Sequence, residues 1–330
     1  RKHTPTASDL GGCDQPMDFL RPGGDGQEGP AGKLKKIFEQ IDAGDEAVVL
    51  ELIESDLGGD VNLADETGTT PLLLAASLGK VDIVKALMEK KADLMASDLE
   101  GDNVLMMAIS QNHLDVVQIL LNATDCVDPD VPNKIGQTPL MKAVSKNNVE
   151  VVQKLLELKV NVNATSQAGK TALVEAVEKK HMDLADILLS AGAQPSIADS
   201  RGRTVLFPAA FRCDTVMLQK LLDAKADPVA KAKQVGTALM MAVESPCFKQ
   251  EALKLLIDHG CPVDGSNEEG ETALMRAVLE NNADAVGVLL DAKADTSKKN
   301  KAGETALDLA KGSALEEVLK LPATGGYAAS

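Results

Sequence analysis

Histidine, cysteine and paired carboxylates supply much of protein chemistry, and in this sequence they are few and scattered. The four histidines are His3, His113, His181 and His259. None has a cysteine or carboxylate partner at the sequence spacing of a zinc site or a catalytic triad. The glycines fall in turn-like blocks rather than in a phosphate-binding loop. The sequence therefore predicts no catalytic residue, no cofactor and no metal. An enzyme that gathers its site from distant residues is the alternative that spacing leaves open.

Three carboxylates lie close together at Asp125, Asp128 and Asp130. A calcium loop of the helix-loop-helix type needs a central glycine and a distal glutamate at fixed spacing. Both are missing here, so this cluster predicts an acidic loop and no calcium site.

Cysteine usage indicates the redox compartment. The five cysteines are Cys13, Cys126, Cys213, Cys247 and Cys261. They are odd in number and form no CxxC pair, which predicts free thiols in a reducing, cytoplasmic compartment. Because the chain starts at Arg1, an organelle entered after removal of a targeting peptide is the alternative. A disulfide between Cys213 and Cys247 also stays open at this point.

Composition restricts the class of protein and of partner. The 330 residues are 44% apolar and carry a formal net charge of −16. That charge argues against a general binder of nucleic acid or anionic membranes, and no apolar run is long enough to cross a bilayer. Aromatic residues make up only 2% of the chain. A core built from Leu, Val, Ile, Ala and Met favours helices packed side by side.

A leucine followed three residues later by an alanine recurs along the chain at intervals of 33 or 35 residues. The eight pairs are Leu72/Ala75, Leu105/Ala108, Leu140/Ala143, Leu173/Ala176, Leu206/Ala209, Leu239/Ala242, Leu274/Ala277 and Leu307/Ala310. Positions i and i+3 share one helix face, and the small alanine lets a neighbouring helix approach. Threonines before the leucines are predicted N-caps of these helices. They are Thr70, Thr138, Thr171, Thr204, Thr237, Thr272 and Thr305.

A second apolar run at helical spacing follows about ten residues later, as in VDIVKALMEKKAD and ADAVGVLLDAKAD. One unit is therefore a turn, a short helix, a second helix and a loop. Neither helix alone can cover its apolar stripe, so the units must stack.

These blocks resemble the ankyrin-repeat family, whose units run G-x-T-P-L-H-x-A-A and end near L-L-x-x-G-A-D. The resemblance implies an all-α solenoid of about nine repeats, with atypical repeats at both ends. It divides the chain into an N-terminal extension (1–32), a repeat domain (33–320) and a C-terminal tail (321–330). It also implies a non-catalytic scaffold or adaptor that binds another protein. With the charge and hydropathy given above, we expect no nucleic-acid partner, no membrane insertion and a chain that is monomeric apart from its partner.

Two departures from the family pattern are expected to be structural. The family histidine is replaced by Leu73, Met106, Met141, Val174, Phe207, Met240, Met275 and Asp308. We expect the apolar members of this row to fill the core. The glycine that ends the second helix is a lysine in four units, at Lys91, Lys159, Lys225 and Lys293. In the left-handed conformation each of these lysines would cost about 1 kcal/mol.

Function is expected where the units differ, which the resemblance places at the hairpin tips and at the end of the first helix. Basic residues cluster there in the middle units of an acidic chain, and Phe211 is expected to be exposed beside Arg212. The predicted partner-binding residues are Lys134, Lys142, Lys146, Lys170, Lys179, Arg201, Arg203, Phe211, Arg212 and Lys233. They favour a groove for an acidic or phosphorylated segment. A solvated surface that merely balances nearby acids is the alternative.

The two ends lack the repeat. In the extension, an apolar piece around Met17, Phe19 and Leu20 is expected to dock on the first units or on a partner. The alternative function is accordingly a structural subunit of a larger assembly, held through this extension. The tail contains LPATG at 321–325, which resembles a sortase signal but lacks the apolar and basic segments that follow a genuine one.

Overall fold

The computed structural model describes residues 30–123 and 127–320, and within them it contains eighteen helices and two short strands. The early helices are α1 (Pro30–Ala43), α2 (Glu46–Asp56), α3 (Pro71–Ser77), α4 (Val81–Glu89), α5 (Val104–Ser110), α6 (Leu114–Asn122), α7 (Pro139–Ser145), α8 (Val149–Glu157), α9 (Ala172–Lys179) and α10 (Met182–Ser190). The later elements are α11 (Leu206–Phe211), α12 (Thr215–Asp223), β1 (Lys231–Ala232), β2 (Gly236–Thr237), α13 (Ala238–Val243), α14 (Gln250–Asp258), α15 (Ala273–Leu279), α16 (Ala283–Asp291), α17 (Ala306–Leu309) and α18 (Leu315–Lys320). The expected docking of Met17, Phe19 and Leu20 and the LPATG motif lie outside the described residues.

The helices pair in chain order and the pairs stack. The first helix of each pair contacts the first helix of the next, from α1 and α3 through α15 and α17. Contacts between consecutive second helices form a parallel row, for example from α12 to α14 and from α14 to α16. We number the pairs α3/α4 to α15/α16 as units one to seven. The predicted solenoid of helix pairs is confirmed.

The recurring leucines and alanines form the core of the stack. Leu105, Leu140, Leu173 and Leu274 are each at most 1% exposed, and the alanines that follow them are fully buried. The row that replaces the family histidine is buried from Leu73 to Met275, as expected. Its last member, Asp308, instead accepts from the Thr305 backbone N–H at 3.0 Å and so completes a capping box. Lys311 and the Thr305 donors hold the pKa of Asp308 below its usual range.

Side-chain caps begin most of the first helices. Thr70, Thr138, Thr171, Thr272 and Thr305 each accept from the backbone N–H three residues on. In unit two, Asn103 takes this role. Such caps are worth about 1 kcal/mol each, because they satisfy an N–H that the helix leaves open.

The predicted caps at Thr204 and Thr237 are wrong, since neither side chain makes a capping bond. In unit five the cause is Pro208. In units one, three, four and seven the N–H of this position donates to the carbonyl of the capping threonine, and proline has no N–H to give. The Phe207 N–H bonds the Thr204 carbonyl instead, at 3.1 Å. The helix then starts one residue late, at Leu206, and the buried Thr204 hydroxyl has no partner among the described residues.

In four units the second helix is followed by a lysine in the left-handed conformation. Lys91, Lys159, Lys225 and Lys293 have φ between 60° and 64°. In the units that keep glycine, Gly192 and Gly260 both have φ of 89°.

Hairpin tips join neighbouring units by backbone bonds. The Lys134 N–H bonds the Glu100 carbonyl at 3.0 Å, and the Lys233 N–H bonds the Arg201 carbonyl at 3.2 Å. Most tips are stiffened by an Asx turn, as where Asp199 accepts from the backbone of Arg201 and Arg203. Unit six differs, because its tip has Ala232 at the Asx position and closes with the β1–β2 pair.

Candidate partner-binding face

Two of the three histidines in the described residues link neighbouring units. A ring N–H of His113 donates to the Ser77 carbonyl at 2.9 Å, and one of His181 donates to the Val144 carbonyl at 2.8 Å. Each bond ties one unit to the end of the preceding unit's first helix. Lys80 makes the same kind of link to the Asp42 carbonyl. His259 donates within its own helix, to the Leu255 carbonyl.

The described cysteines are free thiols. Cys213 and Cys261 are buried and Cys247 is exposed, so the disulfide left open between Cys213 and Cys247 is not formed. Burial raises the pKa of the Cys261 thiol to about 11, because a buried thiolate would lose its hydration. Within residues 30–123 and 127–320, no cluster of three or more His, Cys, Asp or Glu residues suitable for a metal ion is found.

Charge is distributed unevenly over the hairpin tips and first helices, which we call the inner face. In units three to six (133–146, 166–180, 199–212 and 231–244) this face has eleven basic and four acidic residues, a surplus of seven positive charges. In the corresponding stretches of units one and two, every charged residue is acidic. Unit one has two acidic residues there and unit two has three. The chain as a whole carries −16. A basic segment therefore interrupts an otherwise acidic protein.

Four of the predicted partner-binding cations are bound to carboxylates of the chain itself. The pairs are Lys142–Asp102 at 2.6 Å, Lys170–Glu178 at 2.5 Å, Lys179–Glu175 at 3.6 Å and Arg203–Asp199 at 2.8 Å. The first is the most enclosed, since the Asp102 side chain is 8% exposed. Asp102 also accepts from the Asn133 amide at 2.7 Å, which connects units two and three. An anionic partner would have to compete with these carboxylates for the four cations.

The remaining basic residues of the prediction split into two groups. Lys134, Lys146, Arg201 and Lys233 are exposed and form no ion pair with the described residues. Three of them lie on tips, and Lys146 ends a first helix. They are the side chains that an anionic partner meets without breaking an existing pair. Arg212 is different, since it is half-buried and bonds backbone carbonyls.

Unit five holds a pocket of about 300 Å³ on the inner face. Its lining includes Arg203, Phe207, Pro208, Phe211, Arg212 and Met241. Phe207 is 1% exposed and belongs to the core, whereas Phe211 is 41% exposed. Both outcomes match the prediction for these two residues. The structure therefore brings together Arg203, Phe211 and Arg212 of the predicted set.

The basic segment ends at unit seven, where Arg276 lies among three glutamates. Its guanidinium nitrogens are 2.7 Å from Glu244, 3.5 Å from Glu271 and 3.6 Å from Glu280. The single cation leaves this cluster with two surplus negative charges. An anionic segment bound over units three to six would be repelled here.

The sequence did not point to Glu178, Asp199, Thr204 or Met241 as part of the site. The signal that could have identified them is the repeat period of the Leu/Ala pairs. Met241 is the unit-six equivalent of Pro208, and Glu178 is the unit-four equivalent of Phe211. Aligning units by their Leu/Ala pairs places such equivalents side by side on the stack.

Comparison with known proteins gives consistent results. A family model described as ankyrin repeats (3 copies) matches residues 40–130, 125–199, 206–300 and 239–321. Ankyrin repeat and SAM domain-containing protein 6 of Rattus norvegicus is 33% identical over 123 residues, which is 37% of this chain and 13% of that protein. Rabankyrin-5 of Mus musculus is 33% identical over 124 residues, 34% of this chain and 10% of that protein. The match therefore spans about a tenth of each relative's length.

A solved structure shows the same fold. The ankyrin repeat domain of Bcl-3, a member of the IkappaB protein family, aligns with a TM-score of 0.59 and 25% sequence identity. The alignment covers 67% of this chain and 97% of that domain. Among the described residues, no helix is both long and apolar enough to cross a membrane.

Proposed function

Because the chain belongs to the ankyrin-repeat family, we propose that it is a non-catalytic scaffold that binds a segment of another protein along the inner face of units three to six. Ankyrin repeats generally serve protein–protein interaction. The segment is acidic or phosphorylated. One observation carries this proposal: seven surplus positive charges lie on this face in a chain of net charge −16.

The free cations give the segment its contact points. Lys134, Arg201 and Lys233 lie on the tips of units three, five and six, and neighbouring tips are joined by backbone bonds. The tips are thus held in a fixed row. Each exposed contact contributes about 0.2 to 1 kcal/mol, so several are needed for useful affinity. Their charge also accelerates encounter with an anionic partner at low ionic strength.

The acidic ends of the face restrict where such a segment binds. Units one and two and unit seven have surplus negative charge on their tips and first helices. Like charges brought together across an interface are unfavourable, so the partner's acidic residues are confined to the middle units.

The test compares two charge-reversal variants of the full chain. The inner-face variant changes the four free cations to glutamate: Lys134→Glu, Lys146→Glu, Arg201→Glu and Lys233→Glu. The control makes the same change in charge at exposed lysines on the second helices or at their ends: Lys85→Glu, Lys159→Glu, Lys254→Glu and Lys293→Glu.

The probes are peptides selected on the wild-type chain from a phage-displayed library of random 12-residue sequences. We expect selected peptides to be enriched in Asp and Glu, and to bind the inner-face variant at least tenfold more weakly than wild type. Phosphoserine in place of one aspartate should preserve or strengthen binding. The control variant should bind as wild type does. Equal weakening in both variants, or no acidic enrichment, would refute the proposal.

A further inference from the structure

We infer that the pocket of unit five is the anchor site of this face, and that it takes a large apolar side chain together with a neighbouring carboxylate of the partner. The inference rests on the proposed function, since it names the chemistry at the centre of the same face. It adds specificity to that function, because exposed cations on the tips select only for negative charge, whereas a pocket selects for a particular side chain.

Arg212 is held in place before any ligand arrives. Its guanidinium donates to the carbonyls of Val177 and Glu178, the last turn of α9 in the preceding unit. Those two bonds use two of its five N–H groups. A guanidinium fixed in this way loses little conformational freedom on binding an anion, and it matches a carboxylate in shape.

The charge of Arg212 is also left without a carboxylate partner among the described residues. The two carboxylates that line the pocket are already engaged, Glu178 with Lys170 at 2.5 Å and Asp199 with Arg203 at 2.8 Å. Arg203 is neutralised by the same pair. Arg212 is therefore the cation of the lining that is available to an incoming anion.

The rest of the lining is suited to an apolar group. Phe211 exposes 41% of its surface next to Arg212, and Pro208 and Met241 complete the wall. Aromatic side chains, methionine and arginine are enriched in protein interfaces, and arginine is enriched among the residues that contribute most binding energy. Pro208 removes the N–H that would otherwise bond Thr204, so the same residue that shapes the wall also delays the helix.

Neighbouring units do not repeat this combination. The positions equivalent to Phe211 and Arg212 are Glu178 and Lys179 in unit four, and Glu244 and Ser245 in unit six. The pocket thus fixes the register of a bound segment at unit five, with its acidic residues extending over units three to six.

Three small probes separate the two features of the ligand. N-acetyl-phenylalanine carries the ring and a carboxylate, N-acetyl-phenylalaninamide lacks the carboxylate, and N-acetyl-alanine lacks the ring. Each is titrated into the full chain with 13C-methyl methionine, and the methyl resonance of Met241 reports on the pocket. Met88, in α4 of unit one, serves as the remote control.

We expect N-acetyl-phenylalanine to shift the Met241 resonance, and each of the other probes to bind at least threefold more weakly. In Arg212→Gln, which retains an N–H donor for the α9 carbonyls, the acid and the amide should bind equally. Phe211→Ala changes an exposed side chain, so it should fold normally and weaken both aromatic probes. Equal binding of the acid and amide to wild type would overturn the inference, as would an Arg212→Gln variant that keeps the difference.

Failure of this inference is distinguishable from failure of the proposed function. If acidic peptides bind units three to six but no probe shifts the Met241 resonance, the anchor site is refuted and the proposed scaffold function stands. If the selected peptides bind the inner-face variant as tightly as wild type, the proposed function is refuted, whether or not the small probes bind.

Discussion

The lysines at the ends of the second helices carry a backbone cost that glycine would remove, and the two residue types can be exchanged. Lys225 has φ of 64° and an exposed side chain, while Gly260 holds the equivalent place in unit six with φ of 89°. A Cβ added to Gly260 would meet no described atom within 4 Å. The exchange therefore tests backbone conformation almost alone.

The expected magnitudes follow from three contributions. A non-glycine residue in the left-handed region costs about 1 to 2 kcal/mol. Glycine lowers the free energy of unfolding by about 0.4 to 1 kcal/mol, because it gives the unfolded chain more conformational freedom. Loss of a positive charge near a helix C-terminus costs about 0.3 kcal/mol. Lys225→Gly should therefore stabilise the chain by about 0.5 kcal/mol, and Gly260→Ala should destabilise it by about 1 kcal/mol.

Urea unfolding followed by circular dichroism measures both changes, with the slopes compared because long repeat arrays can lose two-state behaviour. Lys225→Ala is the matched control, since it removes the charge but still places a residue with a Cβ in the left-handed conformation. Its midpoint should lie below those of wild type and Lys225→Gly. A Gly260→Ala variant as stable as wild type would refute the argument that φ sets the cost.

Three further predictions concern a buried ion pair, the helix caps and a buried thiol. Lys142→Ala should cost about 2 kcal/mol in urea unfolding, because it leaves a buried carboxylate without its cation, whereas the exposed Lys146→Ala should stay within about 0.5 kcal/mol. Thr138→Val should cost about 1 kcal/mol by removing a cap, and Thr204→Val should be neutral or stabilising, because its hydroxyl is buried without a partner. The raised pKa of Cys261 means that the folded state favours the neutral thiol. Its contribution to stability is present below the ordinary thiol pKa and lost as the pH rises through about 11, so Cys261→Ala and wild type should converge in midpoint at alkaline pH.

Contrary results have specific meanings. Equal losses for Lys142→Ala and Lys146→Ala would show that the buried pair contributes nothing beyond an exposed lysine. A large loss in Thr204→Val would mean that its hydroxyl has a partner. A Cys261→Ala difference that grows with pH would contradict the sign of the pKa shift.

The parts of the fold that repeat could be predicted from the sequence. Local chemistry decides them: a threonine before Pro71 or Pro139 caps the helix that follows, and a lysine in the place of glycine keeps the left-handed turn. These features involve residues within a few positions of one another. The eightfold repetition of one pattern made the helix starts visible.

The links between units could not be predicted, because they join residues about 30 to 40 positions apart. Lys142 has several acidic residues within one unit of the chain, and only the stacked structure selects Asp102. The same is true of His181, whose ring reaches a carbonyl that carries no sequence signal. The predicted cap at Thr204 does not form because of a proline four residues later. The role of the basic centre in binding stays a prediction, and four of its nine cations are paired with carboxylates of the chain itself.

Hydrogen–deuterium exchange of the full chain, with and without a selected acidic peptide, shows whether the peptide binds to the inner face of the middle units. We expect slower exchange in the tips and first helices of units three and five (133–146 and 199–212), and no change in α4 or α14. Protection confined to the second helices, or protection that persists in the inner-face variant, would contradict it.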